Sequence, residues 1–163
     1  FLPYLQGGSV GIENAGGAFL ILTTNTDQGI MWRAVLEAIG YDYIYVADMY
    51  RNAGCNLDRI VVTEGGSKSS LWNQIKADML GSEVVTLENV EGAVLSDAIL
   101  AAYAVGDIHD LKKALLDVVK VKKVYTPNKE NTKFYREMFK IQQQIIRNDM
   151  KSVFNQLEKM RSL

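Results

Sequence analysis

Residues 64–70, Glu-Gly-Gly-Ser-Lys-Ser-Ser, are the part of this chain whose residue types could do chemistry on a ligand. They follow a strand-like run, "RIVVTE" at 59–64, and lead into a helix-like run, "SSLWNQIKADML" at 69–80. A strand end, two glycines and a helix start put unpaired backbone N–H groups at the carboxyl end of a sheet, a place that favours nucleotides and other anions. Glycine lets such a ligand reach the main chain without meeting a Cβ atom. The competing reading is that Gly65 and Gly66 only turn the chain. The spacing is neither G-x-G-x-x-G nor G-x-x-x-x-G-K-[ST], so neither standard phosphate pattern applies. Lys68 reads as a solvated side chain.

Other reactive residue types are sparse. The one cysteine, Cys55, excludes an internal disulfide and fits a reducing, cytoplasmic compartment. Its residue type predicts a buried packing role. The one histidine, His109 in "GDIHDL", reads as a surface loop residue, and one histidine with one cysteine cannot make a His/Cys zinc site. Asp48, Asp58 and Asp78 lie in helical or strand-edge contexts and read as solvated surface acids, so no catalytic residue and no metal ligand is assigned. The formal net charge of −1 gives no electrostatic footprint for nucleic acid or an anionic membrane. No apolar run reaches the ~18 residues of a membrane span, and no signal peptide is visible.

The elements that must position these residues follow from the hydrophobic pattern. With 163 residues, 48% of them apolar and 23% charged, the chain can bury the core of one domain. Residues 1–16 read as loop and "AFLILTT" (18–24) as a buried strand. From Asp27, a plausible N-cap, to about Asn52 the period becomes helical, with Ile30, Ala34, Ala38, Tyr41 and Tyr45 on one face. Strands at 59–64 and 83–87 alternate with helices at 69–80 and 91–105, which indicates an α/β layer. The helix at 69–80 puts Leu71, Ile75, Met79 and Leu80 on its apolar side and stops at Gly81. A short helix at 110–119, a loop around Pro127 and a long helix from about Lys129 to Met160 complete the chain. The long helix carries the stripe Phe134, Met138, Ile141, Ile145, which continues as Ile146, Met150, Val153, Leu157, Met160 after a shift of one residue. Docking on its own domain and pairing in a homodimer are two uses for that stripe. The chain opens at Phe1 with "FLPYL", hydrophobic from its first residue, which predicts a piece of a larger protein.

Four segments, in order, carry a family likeness: "FLPYLQGG", "RAVLEAIGYDY", "EGGSKSSLWNQIKADMLG" and "EGAVLSDAILAAYAVG". Together they resemble the C-terminal domain of the FGGY family of carbohydrate kinases, xylulokinase-like and gluconate-kinase-like members above all, over nearly the whole chain. The resemblance implies an actin-like, ribonuclease-H-like ATPase domain, a central sheet flanked by helices with a long C-terminal helix. It also implies ATP with Mg2+ as cofactors and a sugar or polyol, xylulose-like, as acceptor of the γ-phosphate. Residues 1–163 would be the C-terminal nucleotide-binding fragment of a two-domain kinase. The catalytic aspartate and most sugar contacts belong, in that family, to the N-terminal domain of the same chain, so the fragment alone is expected to be inactive.

Carried over by position, Gly65 and Gly66 make the close backbone approach to the adenosine half of the nucleotide, with Ser67 beside them. Ser70 falls where many relatives place an asparagine near the adenine, and Gly92, Ala93 and Ser96 would pack tightly near the cleft. The chain departs from the family pattern at Ile21, where glycine is usual, and at Glu64, where aspartate or a small residue is usual. It departs again at Ile30, at Ser96 and Asp97, and in "QGGSVG", which lacks the usual charges. These departures bear on sugar specificity and on whether the parent is a fully active kinase. The alternative to a kinase is a noncatalytic nucleotide-binding or interaction module on the same fold.

Overall fold

A computed structural model of the chain describes residues 1–8, 12–88 and 92–161. The first helix, α1 (Gln28–Asn52), starts where the Asp27 carboxylate accepts the Ile30 N–H at 2.8 Å. Its buried face is Leu36, Ala38, Gly40, Ile44 and Ala47, rotated from the row expected, since Ile30 and Tyr45 are exposed. Gly40 sets that rotation. A Cβ there would run into the side chain of Met79, so this is the point where α1 crosses the next helix.

Three strands form one sheet in the order β1 (Arg59–Val62), β2 (Glu83–Leu87), β3 (Val121–Tyr125). β1 and β2 are parallel, from Arg59 opposite Glu83 to Val62 opposite Thr86, and α2 (Ser70–Leu80) makes the crossover between them. β3 is antiparallel to β2. It corrects the expectation of unbroken loop before Pro127. Only Tyr125 of β3 is buried, and two lysines occupy its middle, as suits an edge strand whose apolar signal is diluted.

Ser69 caps α2 by accepting the Trp72 N–H at 3.2 Å, and Gly81, at φ 63°, ends it. The helix is sandwiched between α1, the sheet and the C-terminal helices, so every residue from Ile75 to Leu80 is buried. Leu71, expected on the apolar side, is instead half exposed at the first turn. Leu36, Ile44, Trp72, Ile75, Met79 and Tyr135 make the main core.

Beyond the sheet lie α3 (Gly92–Ala104) and α4 (Leu111–Val118), the latter capped by Asp110. The expected start of α3 at Glu91 lies outside the described residues. α3 buries only Ile99, and Ser96 is exposed, so the close packing expected of its small residues is confined to Gly92 beside Thr63. The expected single helix from Lys129 is three pieces: α5 (Lys129–Gln144), a π-helical segment Ile145–Asp149, and α6 (Lys151–Arg161). The π segment falls where the apolar stripe shifts by one residue, because a wider turn absorbs one extra residue. Of the stripe, Ile146 packs with Phe154, Leu2, Ile12 and Ala15, whereas Phe134, Ile141 and Leu157 are exposed.

Three further expectations are corrected. Residues 18–24 form no strand: Ala18 makes one isolated bridge to Leu2, and Ile21 has φ 60° and is 91% exposed. An apolar run without a partner edge cannot complete its hydrogen bonds as a strand. Cys55 is exposed, in the turn after α1, rather than buried. Asp78 is buried rather than solvated, and Asp48 is ion-paired with Arg136 across α1 and α5 at 2.7 Å.

Candidate functional site

The parallel β1–β2 pair delivers the chain, at its carboxyl end, into a single 3-10 turn, Gly65–Ser67. The turn closes through the Ser67 N–H, which donates to the Glu64 carbonyl at 3.1 Å, and the Lys68 N–H, which donates to the Gly65 carbonyl at 3.2 Å. Neither glycine has positive φ. That conformation falls on Glu64 instead, at φ 60° and ψ −161°, a region that is almost exclusively glycine's. The Glu64 carboxylate accepts the Ala93 N–H at 3.4 Å, at the start of α3.

A requirement for left-handed backbone therefore does not account for Gly65 and Gly66. Space does. A Cβ on Gly65 would meet nothing within 4 Å, and one on Gly66 only Trp72 Nε1 at 4.0 Å, so both main chains face open volume. The turn is tethered to α2. Asn73 Nδ2 donates to the Ser67 carbonyl at 2.7 Å, and Lys76 Nζ donates to the Gly66 carbonyl at 3.1 Å.

Two hollows flank the turn. One, about 470 Å³, lies between α1, β1 and α2 and is walled by Tyr43, Tyr50, Ile60, Val62 and Trp72, with Gly66 at its edge. Lys76 is the one ammonium in that wall, and burial lowers its pKa from 10.5 to about 8. The other hollow, about 190 Å³, lies towards β3 and is polar, lined by Ser67, Lys68, Ser70, Thr86, Lys122, Lys123 and Tyr125. Here the Tyr125 hydroxyl donates to Ser70 Oγ at 3.2 Å, and Lys123 Nζ sits 4.6 Å from the Tyr125 ring centre.

Of the four residues singled out in the sequence, three occupy the turn and Ser70 opens α2, and they do not share one surface. Gly65 and Gly66 present bare backbone. Ser67 is buried, its hydroxyl donating to the Glu64 carbonyl at 2.7 Å, so the side chain braces the turn from within. Ser70 belongs to the polar hollow and is engaged with Tyr125. Sequence reasoning missed Asn73 and Lys76. The signal for Lys76 was its place on the apolar stripe of α2, four residues after Trp72, where a lysine has no packing reason to be. Among the described residues no group of three or more histidine, cysteine, aspartate or glutamate side chains is arranged to hold a metal ion.

The family model for the C-terminal domain of the FGGY family of carbohydrate kinases matches residues 1–105. The chain is 31% identical over 147 residues to the xylulose kinase of Staphylococcus epidermidis, covering 89% of this chain and 30% of that protein. It is 33% identical over 144 residues to the gluconokinase of Bacillus subtilis, covering 86% of this chain and 28% of that protein. The crystal structure of a ligand-bound xylulose kinase from Lactobacillus acidophilus superposes with a TM-score of 0.77 at 28% identity, over 96% of this chain and 32% of that one. The chain therefore spans about 30% of the length of the curated relatives it matches. Its small sheet and flanking helices are those of the actin-like ATPase fold. On the matched residues and the shared fold together, the chain belongs to the FGGY family of carbohydrate kinases, as a C-terminal domain.

Proposed function

We propose that this chain is the ATP-binding half of a two-domain carbohydrate kinase that phosphorylates a sugar or polyol hydroxyl, with a xylulose-like acceptor favoured. One observation carries the reading: the Gly65–Gly66 turn stands at the carboxyl end of the parallel strands, its backbone bordered by open volume and its carbonyls tethered to α2. Bare backbone at that place suits a ligand that needs close approach to the main chain. Xylulose and gluconate kinases among the relatives make ATP the ligand to assign.

In this reading the described residues supply nucleotide binding, while the base for the attacking hydroxyl and the sugar contacts come from an N-terminal domain. Phosphoryl transfer needs both reactants positioned across the cleft, so the fragment alone should not turn over. Mg2+ would arrive with the triphosphate, which already offers it oxygen ligands. No helix among the described residues is long and apolar enough to cross a membrane, which suits a kinase working on soluble sugars in the cytoplasm.

The test uses the full-length kinase that contains this chain. Gly66→Val should weaken MgATP binding at least about tenfold, about 1.4 kcal/mol, and leave sugar binding nearly unchanged. Because Gly66 is not in the left-handed region, the variant should stay folded, and thermal melting checks that. A folded Gly66→Val protein that binds MgATP like the wild type would remove the reading.

A further inference from the structure

Lys76 is 4% exposed, and its ammonium sits 5.3 Å from the centre of the Trp72 ring while donating to the Gly66 carbonyl. Among the described residues no carboxylate pairs with it. The residues that line its cavity from α1 and β1 include Tyr43, Tyr50, Ile60 and Val62 and no carboxylate. Burying an ammonium without an anion is unfavourable, and an apolar residue of similar length would fill the place at lower cost. The Trp72 ring compensates only in part. Stability of α2 therefore does not account for a lysine here, and the contact to Gly66 does.

Two consecutive glycines have the widest backbone freedom of any pair, and a lone 3-10 turn does little to restrain them. Asn73 and Lys76, one helical turn apart on α2, hold the successive carbonyls of Ser67 and Gly66. Both tethers fix carbonyl oxygens of the turn on α2, beside the cavity that Gly66, Trp72 and Lys76 line together. A charge-assisted bond to a backbone carbonyl is stronger than a neutral one, which suits the more exposed of the two positions. Fixing the turn in advance lowers the ordering cost that a ligand would otherwise meet on binding.

We propose that Lys76 is a positioning residue for the nucleotide: by holding the Gly66 carbonyl, it fixes the peptide plane that the nucleotide approaches. The proposal rests on the nucleotide-binding reading above. It is tested in the full-length kinase with Lys76→Met, which keeps the length and loses the donor, and Lys76→Arg, which keeps a charged donor. MgATP and D-xylulose are titrated separately by calorimetry, and each protein is melted. The expected result for Lys76→Met is an MgATP Kd raised about tenfold or more, an unchanged D-xylulose Kd, and a melting temperature equal to or above the wild type. Lys76→Arg should recover part of the loss.

An unchanged MgATP Kd in Lys76→Met overturns the proposal. So does a loss shared equally by both ligands, or a variant that fails to fold, because either assigns the lysine to general stability. Failure of the wild type to bind MgATP would instead overturn the nucleotide-binding reading itself, so the two failures are distinguishable.

Discussion

Asp78 of α2 accepts the backbone N–H of Asn128 at 2.8 Å, so a carboxylate buried in one helix fixes the entry of another. Its second oxygen accepts Asn131 Nδ2 at 2.8 Å, and Gln74 donates to the first from one turn back. Asn128 is itself the N-cap of α5, so the two helices share one polar joint. Asp78→Ala should lower stability by about 3 kcal/mol, because it strands buried donors that a charged acceptor now satisfies. Chemical denaturation measures this, and a change under about 0.5 kcal/mol, the scale of an ordinary surface substitution, would show the joint to be dispensable.

Glu64 and Ile21 each hold a side chain at φ 60°. For a β-branched residue such as Ile21 that backbone is a true outlier. Glu64 lies in a region that costs non-glycine residues on the order of 1–3 kcal/mol. Glycine at either place recovers strain and loses some chain entropy, so Ile21→Gly and Glu64→Gly should each raise stability, by about 1 kcal/mol. Glu64→Gly also gives up the contact to the Ala93 N–H and should gain the less of the two. A lowered melting temperature in both variants would count against strained backbone at these sites.

Phe154 and Leu157 lie one turn apart on α6 but in different surroundings. Phe154 is 3% exposed against Leu2, Ile12, Ala15 and Ile146, whereas Leu157 is 49% exposed. Phe154→Ala should cost about 3–5 kcal/mol, the range for truncating a buried aromatic ring. Leu157→Ala should stay within about 0.5 kcal/mol, as surface substitutions do. Equal melting temperatures for the two variants would mean that α6 does not dock as described.

Lys76 also leaves a signature in the pH dependence of stability. Burial holds its pKa at about 8 in the folded chain, against 10.5 when solvated. Between those values the unfolded chain keeps a proton that the folded one has released. The unfolded state then binds more protons, and stability rises with pH. The wild type should therefore gain stability relative to Lys76→Met as pH climbs from 8 towards 10, with the difference flat below that window. A difference that stays flat across the window would mean the ammonium is solvated.

Local signals were legible in the sequence, and non-local ones were not. Asp27 and Gly81 act within a turn of their own position, and each bounds the helix expected of it. β3 was hidden because its pairing with β2 is made across more than thirty intervening residues, and its two lysines mask the alternation. The run around Ile21 failed in the opposite sense: apolar content suggested a strand where no partner edge lies. In the site, Gly65 and Gly66 were legible because missing side chains show directly in the sequence, whereas their tethering by Asn73 and Lys76 depends on how α2 lies beneath the turn. Gly40 has no local reason to stand inside a helix, and only the crossing with Met79 gives it a purpose.

The π segment at Ile145–Asp149 makes the C-terminal rod work like a coupling between two shafts set out of phase. Each residue of an α-helix advances the azimuth by about 100°, so one inserted residue would send every later side chain to a different quarter if the winding stayed regular. The wider turn takes up that angle. Tyr135 before it and Phe154 after it can then meet two cores that lie on no common straight stripe, one built on α1 and α2 and the other on the chain's first eighteen residues. A single rod thereby fastens both cores, and its phase, more than its composition, decides whether both fastenings close.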